Sequence, residues 1–255
     1  MPSLFLGHGS PMNALADNVF TQAWNELGTS LPRPRAVLSI SAHWYTQGTA
    51  VTISTSPRTI HDFGGFPREL YLVQYPAPGD PALAERVRQL LAPVAAEQDD
   101  QWGLDHGTWS VMRHLYPSAD IPVVQLSIDG TKGAAFHYEV GQRLAPLREE
   151  GVLIFGSGNV VHNLNAFIWG RNGGELGNSA EIFDARVRQL IAAREFQPLI
   201  HYETLGREAA FAVPTPEHYD PLLYILGTST ATDAVSFPVE GIAGSAISML
   251  GVQVG

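Results

Sequence analysis

The sequence predicts an α/β protein, a single domain with a largely parallel or mixed central sheet flanked by helices. Two observations carry that prediction. Short apolar runs rich in Val, Ile, Leu and Ser alternate with amphipathic segments along the chain, the pattern of strands joined by crossover helices. Hydrophobic residues make up 45% of the 255 positions and charged residues only 16%, so a sizeable core is available and disorder is disfavoured. No internal repeat, low-complexity tract or linker divides the chain, and residues 1–255 read as one domain.

Strands are expected at 3–6, 36–42, 50–54, 121–127, 152–157, 235–239 and 247–254, each short, apolar and bounded by turn residues. Helices are expected at 19–27, 81–91, 107–115, 134–148, 180–193 and 217–226. Asp80 followed by Pro81 is an N-cap with proline at the first helical position. Leu83, Val87, Leu90 and Leu91 then form one apolar stripe. Ile182, Phe183, Ala185, Val187, Leu190 and Ile191 do the same less cleanly. Asp105 suits the N-cap of the helix at 107–115, and Thr215 with Pro216 suits the start of the helix at 217–226. The Gly/Pro-rich stretch 55–79 breaks the alternation, and loops of that length in compact domains are usually functional.

Composition excludes several function classes. A net charge of −10 disfavours nucleic-acid binding, since no basic stripe neutralises phosphates. No apolar run approaches the ~18 residues of a membrane span. The opening Met-Pro-Ser-Leu-Phe-Leu-Gly-His lacks the basic region and cleavage pattern of a signal peptide, so a cytoplasmic protein is expected. Cysteine is absent, which removes disulfides, thiolate metal sites and a cysteine nucleophile. A metal here is held by nitrogen and oxygen, which suits Fe(II), Zn(II) or Mn(II).

Three histidines follow strand-like runs: His8 after 3–7, His43 after 36–42, and His162 after 152–158. Loops at the carboxyl ends of parallel strands converge on one crevice, so these imidazoles can meet in space. Gly7-His8-Gly9-Ser10-Pro11 is a tight turn, but Met12 stands where a phosphate loop needs glycine. Taken alone, His8 suits an incidental turn residue and His43 a satisfied core histidine. Gly156-Ser157-Gly158-Asn159-Val160-Val161-His162 misses the nucleophile elbow at Phe155 and the dinucleotide fingerprint at Val161. It reads as a glycine-rich strand exit that delivers His162 to the crevice.

His106, beside Asp105 and among Trp102, Gly103, Gly107 and Trp109, is a candidate general acid or base. Glu217 suits the helix dipole and His218 the same crevice, and either can complete a site. His61-Asp62-Phe63-Gly64-Gly65-Phe66-Pro67 reads either as a lid over an aromatic ligand or as a loop anchored by phenylalanine. His114, His137 and His201 read as surface histidines. One metal site with a proton shuttle beside it explains His8, His43, His106, His162 and His218 together.

These motifs, in order from residue 5 to 226, resemble the class III extradiol ring-cleavage dioxygenases, and within them the 4,5-DOPA dioxygenase branch. The matching runs are Gly-His8-Gly-Ser-Pro-Met, Ser-Ala-His43-Trp, residues 61–67, Asp-His106-Gly, Ser-Gly-Asn-Val-Val-His162-Asn and Pro-Thr-Pro-Glu-His218-Tyr. The resemblance implies one α/β domain using non-haem Fe(II) in catalysis, with Zn(II) often found in purified material. It implies His8 and His43 as metal ligands, with His218 in the third ligand region. His162 is implied as a further ligand in zinc-bound members or as a second-shell base, and His106 as a second active-site histidine. The wider class uses two histidines and a glutamate, whereas here Glu217 and His218 stand side by side.

The implied reaction takes a catechol and O₂ as its small-molecule partners. One of His106 and His162 removes a catechol proton and the other returns one as the ring opens; for DOPA the product is a seco-acid semialdehyde. Arg58 and Arg68 are candidates for holding a substrate carboxylate. Two other readings stay open: a zinc hydrolase with a histidine-bound water, and a non-enzymatic Memo-type metal-binding scaffold. Monomer is preferred over homodimer.

Overall fold

A computed structural model describes residues 1–167 and 178–255. Its strands are β1 (Ser3–Gly7), β2 (Ala36–Thr46), β3 (Thr49–Thr52), β4 (Ala96–Asp99), β5 (Val123–Asp129), β6 (Val152–Gly158), β7 (Val235–Ser236), β8 (Ile242–Ala243), β9 (Ile247–Ser248) and β10 (Gly251–Val254). Eight of them form one mixed sheet in the order β4-β3-β5-β2-β6-β1-β10-β7, while β8 and β9 pair separately. The middle of the sheet, β5-β2-β6-β1, is parallel throughout. Antiparallel pairs β1-β10 and β10-β7 extend one side, and β3 pairs antiparallel with β5 on the other.

The longer helices are α1 (Val19–Ser30), α2 (Pro81–Leu91), α3 (His106–Leu115), α4 (Ala134–Leu144), α5 (Ser179–Ala192) and α6 (Asp220–Gly227). Alternation along the central strands sends side chains to two cores. Phe5, Leu38, Ile40 and Ile154 face the core under α2, α4, α5 and α6. Leu4, Leu6, Val37, Leu153 and Phe155 face the core under α1 and α3. The α/β class with a mixed sheet flanked by helices therefore agrees with the alternation read from the sequence. No described helix is long and apolar enough to cross a membrane.

Several local expectations differ, each for a physical reason. The helix predicted over 134–148 ends at Leu144, and Pro146 opens a separate short helix, Pro146–Glu149, because proline supplies no N–H to continue the ladder. The strand predicted over 235–239 stops at Ser236; Pro238 has no amide to pair. The run 247–254 divides into β9 and β10, which join different sheets. The helix predicted over 217–226 begins at Asp220. Thr215 does not cap it: its hydroxyl bonds Glu217 instead, and the Pro216 carbonyl accepts the Tyr219 and Asp220 N–H groups. His218 thus sits in a turn ahead of α6. His137 is not a surface residue but fully buried on α4, with Nδ1 3.0 Å from the Tyr224 hydroxyl, and burial pushes its pKa down to about 4.

Arg148 ties the chain ends together. Its guanidinium donates to the carbonyls of Met1, Thr228 and Val254 and to both carboxylate oxygens of Asp233. That bidentate bond, against a smaller opposing effect of burial, holds the Asp233 pKa at about 2. A depressed carboxylate contributes stability above its unfolded pKa near 4, lost as pH falls toward 2. Arg148→Met is therefore expected to cost about 3–5 kcal/mol at pH 7, the range for breaking a buried pair. Thermal unfolding should show it as a fall of roughly 6–20 °C, shrinking between pH 4 and 2. A midpoint equal to wild type at pH 7 would refute the clasp.

Candidate metal centre

The carboxyl ends of β1, β2 and β6 open into one cavity of about 300 Å³. His8 follows β1 directly, and its N–H bonds the Gly158 carbonyl at the end of β6. His43 lies inside β2, where the register against β5 shifts between Ile40 and Tyr45. Bulges of this kind re-aim side chains beside functional sites. His106 is the first residue of α3, whose N-cap Asp105 accepts from Thr108 N, as the sequence suggests, and also from Ser41 and Gln125. Glycine is required where this packing is tightest. A Cβ on Gly107 would lie 2.5 Å from Ser41 Oγ, and one on Gly158 2.1 Å from the His218 carbonyl oxygen.

All five histidines singled out from the sequence line this cavity. Ligand-capable atoms of His8, His43 and His218 lie within 4.8 Å of one another. His8 Nε2 faces His43 Nε2 at 3.1 Å. His162 stacks on His218, with centroids 3.5 Å apart and planes at 6°. His106 stands 3.9 Å from His43, centroid to centroid.

The tautomers follow from what each Nδ1 meets. Ser157 donates its hydroxyl to the Gly107 carbonyl, so towards His8 Nδ1, at 3.0 Å, it can only accept. Glu217 Oε1 faces His218 Nδ1 at 3.2 Å. Asp62 Oδ2 faces His106 Nδ1 at 2.9 Å and His43 Nδ1 at 3.4 Å. Carboxylates accept only, so each of these Nδ1 atoms carries the proton and each Nε2 keeps its lone pair. Two lone pairs meeting at 3.1 Å repel, and a cation between them relieves the contact. Two nitrogens each ~2.1 Å from one ion span such a distance. Among the described residues, His218 Nε2 is buried without a hydrogen-bond partner, an orphan that a metal would satisfy. The donor set fits a divalent non-haem metal.

Electrostatics keep His8, His43, His162 and His218 neutral. Burial, then the neighbouring imidazoles, lowers His8 and His43 well below the usual histidine value. Burial beside His218 brings His162 down to about 3. Burial also lowers His218, against the pull of Glu217. Burial would raise Glu217, but hydrogen bonds from His218 and Thr215 outweigh it and hold its pKa at about 2. The two residues left as alternatives by the sequence thus play different parts, with Glu217 turned to the His218 ring.

The rest of the wall is mostly apolar: Pro11, Phe66, Leu164, Phe167 and Ile247, with Gly9 and Ser10. Phe66 forms wall, while Phe63 packs edge-on against His106 and near Trp109. Arg58 and Arg68 are exposed and do not line the cavity, so neither is placed to hold a substrate carboxylate. Residue-by-residue reading missed Asp62 and Ser157 as partners of the imidazoles. His-Asp at 61–62 is a signal for the first; a buried serine in a strand gives none for the second.

Residues 4–250 match the family described as the catalytic LigB subunit of aromatic ring-opening dioxygenase. The chain belongs to this family. It is therefore a member of the class III extradiol dioxygenases that its motifs resemble. Among curated members it is 51% identical to a 4,5-DOPA dioxygenase extradiol of Escherichia coli K12, covering 100% of this chain and 95% of that one. It is 39% identical to the 4,5-DOPA dioxygenase extradiol of Beta vulgaris, over 89% of this chain and 86% of that one. A crystal structure of an uncharacterized Escherichia coli K12 protein superposes with TM-score 0.87 at 46% identity, covering 100% of both chains. In this LigB-family chain, each of the six sequence motifs supplies at least one residue to the cavity wall.

Proposed function

We propose that this family member is an Fe(II)-dependent extradiol dioxygenase that opens a catechol ring with O₂, by 4,5-cleavage of DOPA or a close analogue. The observation that carries this reading is the convergence of His8, His43 and His218, with Nε2 atoms of His8 and His43 3.1 Å apart and that of His218 buried without a partner among the described residues. These three would hold the metal, and His162 stacks on the His218 ring beside them. When bound, the metal supplies Lewis acidity and a common template for catecholate and O₂. DOPA as substrate is supported by the names of the relatives.

The chain's own groups then handle protons and exclude water. His106 Nε2, on the side of the ring away from Asp62, takes the second catechol proton. The Asp62 carboxylate stabilises the resulting imidazolium through Nδ1. The His106 imidazolium returns that proton as the ring opens, while His162, kept neutral by burial beside His218, faces the same cavity as a hydrogen-bonding group. Pro11, Phe66, Leu164 and Ile247 enclose the aromatic ring and keep bulk water from the reacting atoms.

The test is product identity. Protein loaded anaerobically with Fe(II), given L-DOPA and then O₂, is expected to form a yellow compound with the mass of substrate plus O₂, or that mass less one water after cyclisation. A substrate that returns unchanged across a panel of catechols would refute the proposal. Turnover with Zn(II) under anaerobic conditions would favour a hydrolase instead.

A further inference from the structure

Asp62 lies between Ile60 and Pro67, in a stretch without helix or strand, yet its position is closely determined. Ile60 N donates to the Leu104 carbonyl at 2.7 Å and Leu104 N to the Arg58 carbonyl at 2.8 Å. Trp109 Nε1 donates to the Ile60 carbonyl at 2.7 Å, and His61 Nε2 bonds the Val73 carbonyl at 3.0 Å. These bonds hold the loop against the start of α3. There Asp62 Oδ1 accepts the backbone N–H of His106 at 2.8 Å. Its other oxygen bonds His106 Nδ1 at 2.9 Å and lies 3.4 Å from His43 Nδ1, an ion-pair contact rather than a hydrogen bond. One carboxylate thus reaches two rings from different elements, β2 and α3.

We infer that Asp62 is a positioning residue that sets the tautomers of His43 and His106 together, so that both present an unprotonated Nε2 to the cavity. The inference rests on the proposed roles of His43 at the metal and His106 in proton transfer, and it makes the two depend on one side chain. A carboxylate accepts both His106 N–H groups and turns only lone pairs toward His43 Nδ1. An asparagine has one acceptor oxygen. If that oxygen keeps the His106 backbone N–H, the amide NH₂ faces both rings. Each ring must then turn Nδ1 into the acceptor and carry its proton on Nε2, where it blocks metal binding at His43 and proton uptake at His106. Partners of this kind typically change metal affinity 10–100-fold.

The test is long-range ¹H–¹⁵N NMR of the imidazoles in metal-free protein at about pH 8, well above the ordinary histidine pKa near 6.5. Resonances are assigned from His43→Gln and His106→Gln. Wild type is expected to show both rings protonated on Nδ1, and Asp62→Asn to show them protonated on Nε2 with the remaining histidines unmoved. Zinc affinity, measured by chelator competition, should fall roughly 10–100-fold in Asp62→Asn and recover in part in Asp62→Glu. Unchanged tautomers or unchanged zinc affinity in Asp62→Asn would overturn the inference. So would Nε2-protonated rings in wild type, a result that does not depend on the variant folding. Neither readout uses a catechol, so failure of the dioxygenase reading would be seen separately, in the product assay.

Discussion

His218→Ala is expected to release the metal and lower ring-cleaving activity on the order of 10³-fold or more. A polarising ion contributes several kcal/mol, and each 1.36 kcal/mol is a factor of ten in rate. The reason lies in the arrangement of the site. His218 Nε2 is buried with no partner among the described residues, and Glu217 is turned to the far side of the same ring. Removing the ring removes an unsatisfied polar atom, so metal-free His218→Ala should unfold within a few degrees of wild type. Glu217→Gln is the discriminating control. It weakens the hold on Nδ1 and should cost about 10–100-fold in metal affinity. Chelator competition with Zn(II), together with oxygen uptake after Fe(II) loading, measures both. If Glu217→Gln proved the more damaging of the two, the glutamate would be the ligand.

His106→Gln is expected to keep the metal and lose about 10²–10⁴-fold in kcat, the usual contribution of a positioned proton-transfer group. His106 lines the cavity but belongs to a different candidate cluster, with Asp62 and His43. Glutamine retains a donor and an acceptor of similar reach but cannot carry the proton away. Metal content after gel filtration and steady-state kinetics at saturating Fe(II) separate the two effects. A variant with normal kcat would transfer the proton-accepting role to His162. A variant without metal would make His106 part of the coordinating set.

Much of the site was legible because its residues obey local rules. His8 and His162 stand just past strands that end in glycine, and parallel strands in the middle of a mixed sheet deliver their exits to one crevice. Asp80 and Asp105 cap helices as their side chains predict. What escaped depends on distant partners. Asp62 and His106 are 44 residues apart, and Ser157 and His8 are 149 apart; His-Asp at 61–62 marks Asp62 without naming its partner, and no local pattern encodes the second pair. Strand β4, Ala96–Asp99, carries Glu and Gln at an outer edge and so shows no apolar run. His137 sits in an amphipathic segment, and the partners that accompany its burial, the Tyr224 hydroxyl and the Asp220 carboxylate, lie across the helix pair. Thr215-Pro216 is a good start signal that predicts His218 in the first turn of a helix, but the turn ending at Asp220 takes those groups first.

The most direct test of the central claim is oxygen consumption by the Fe(II)-loaded protein on addition of L-DOPA in a sealed cell. Uptake equimolar with the catechol consumed, with no external reductant and none in the Zn(II)-loaded protein, is the predicted result, since both oxygen atoms enter the product. Catechol consumed without oxygen, or no oxygen uptake with any catechol in the presence of bound Fe(II), would contradict it.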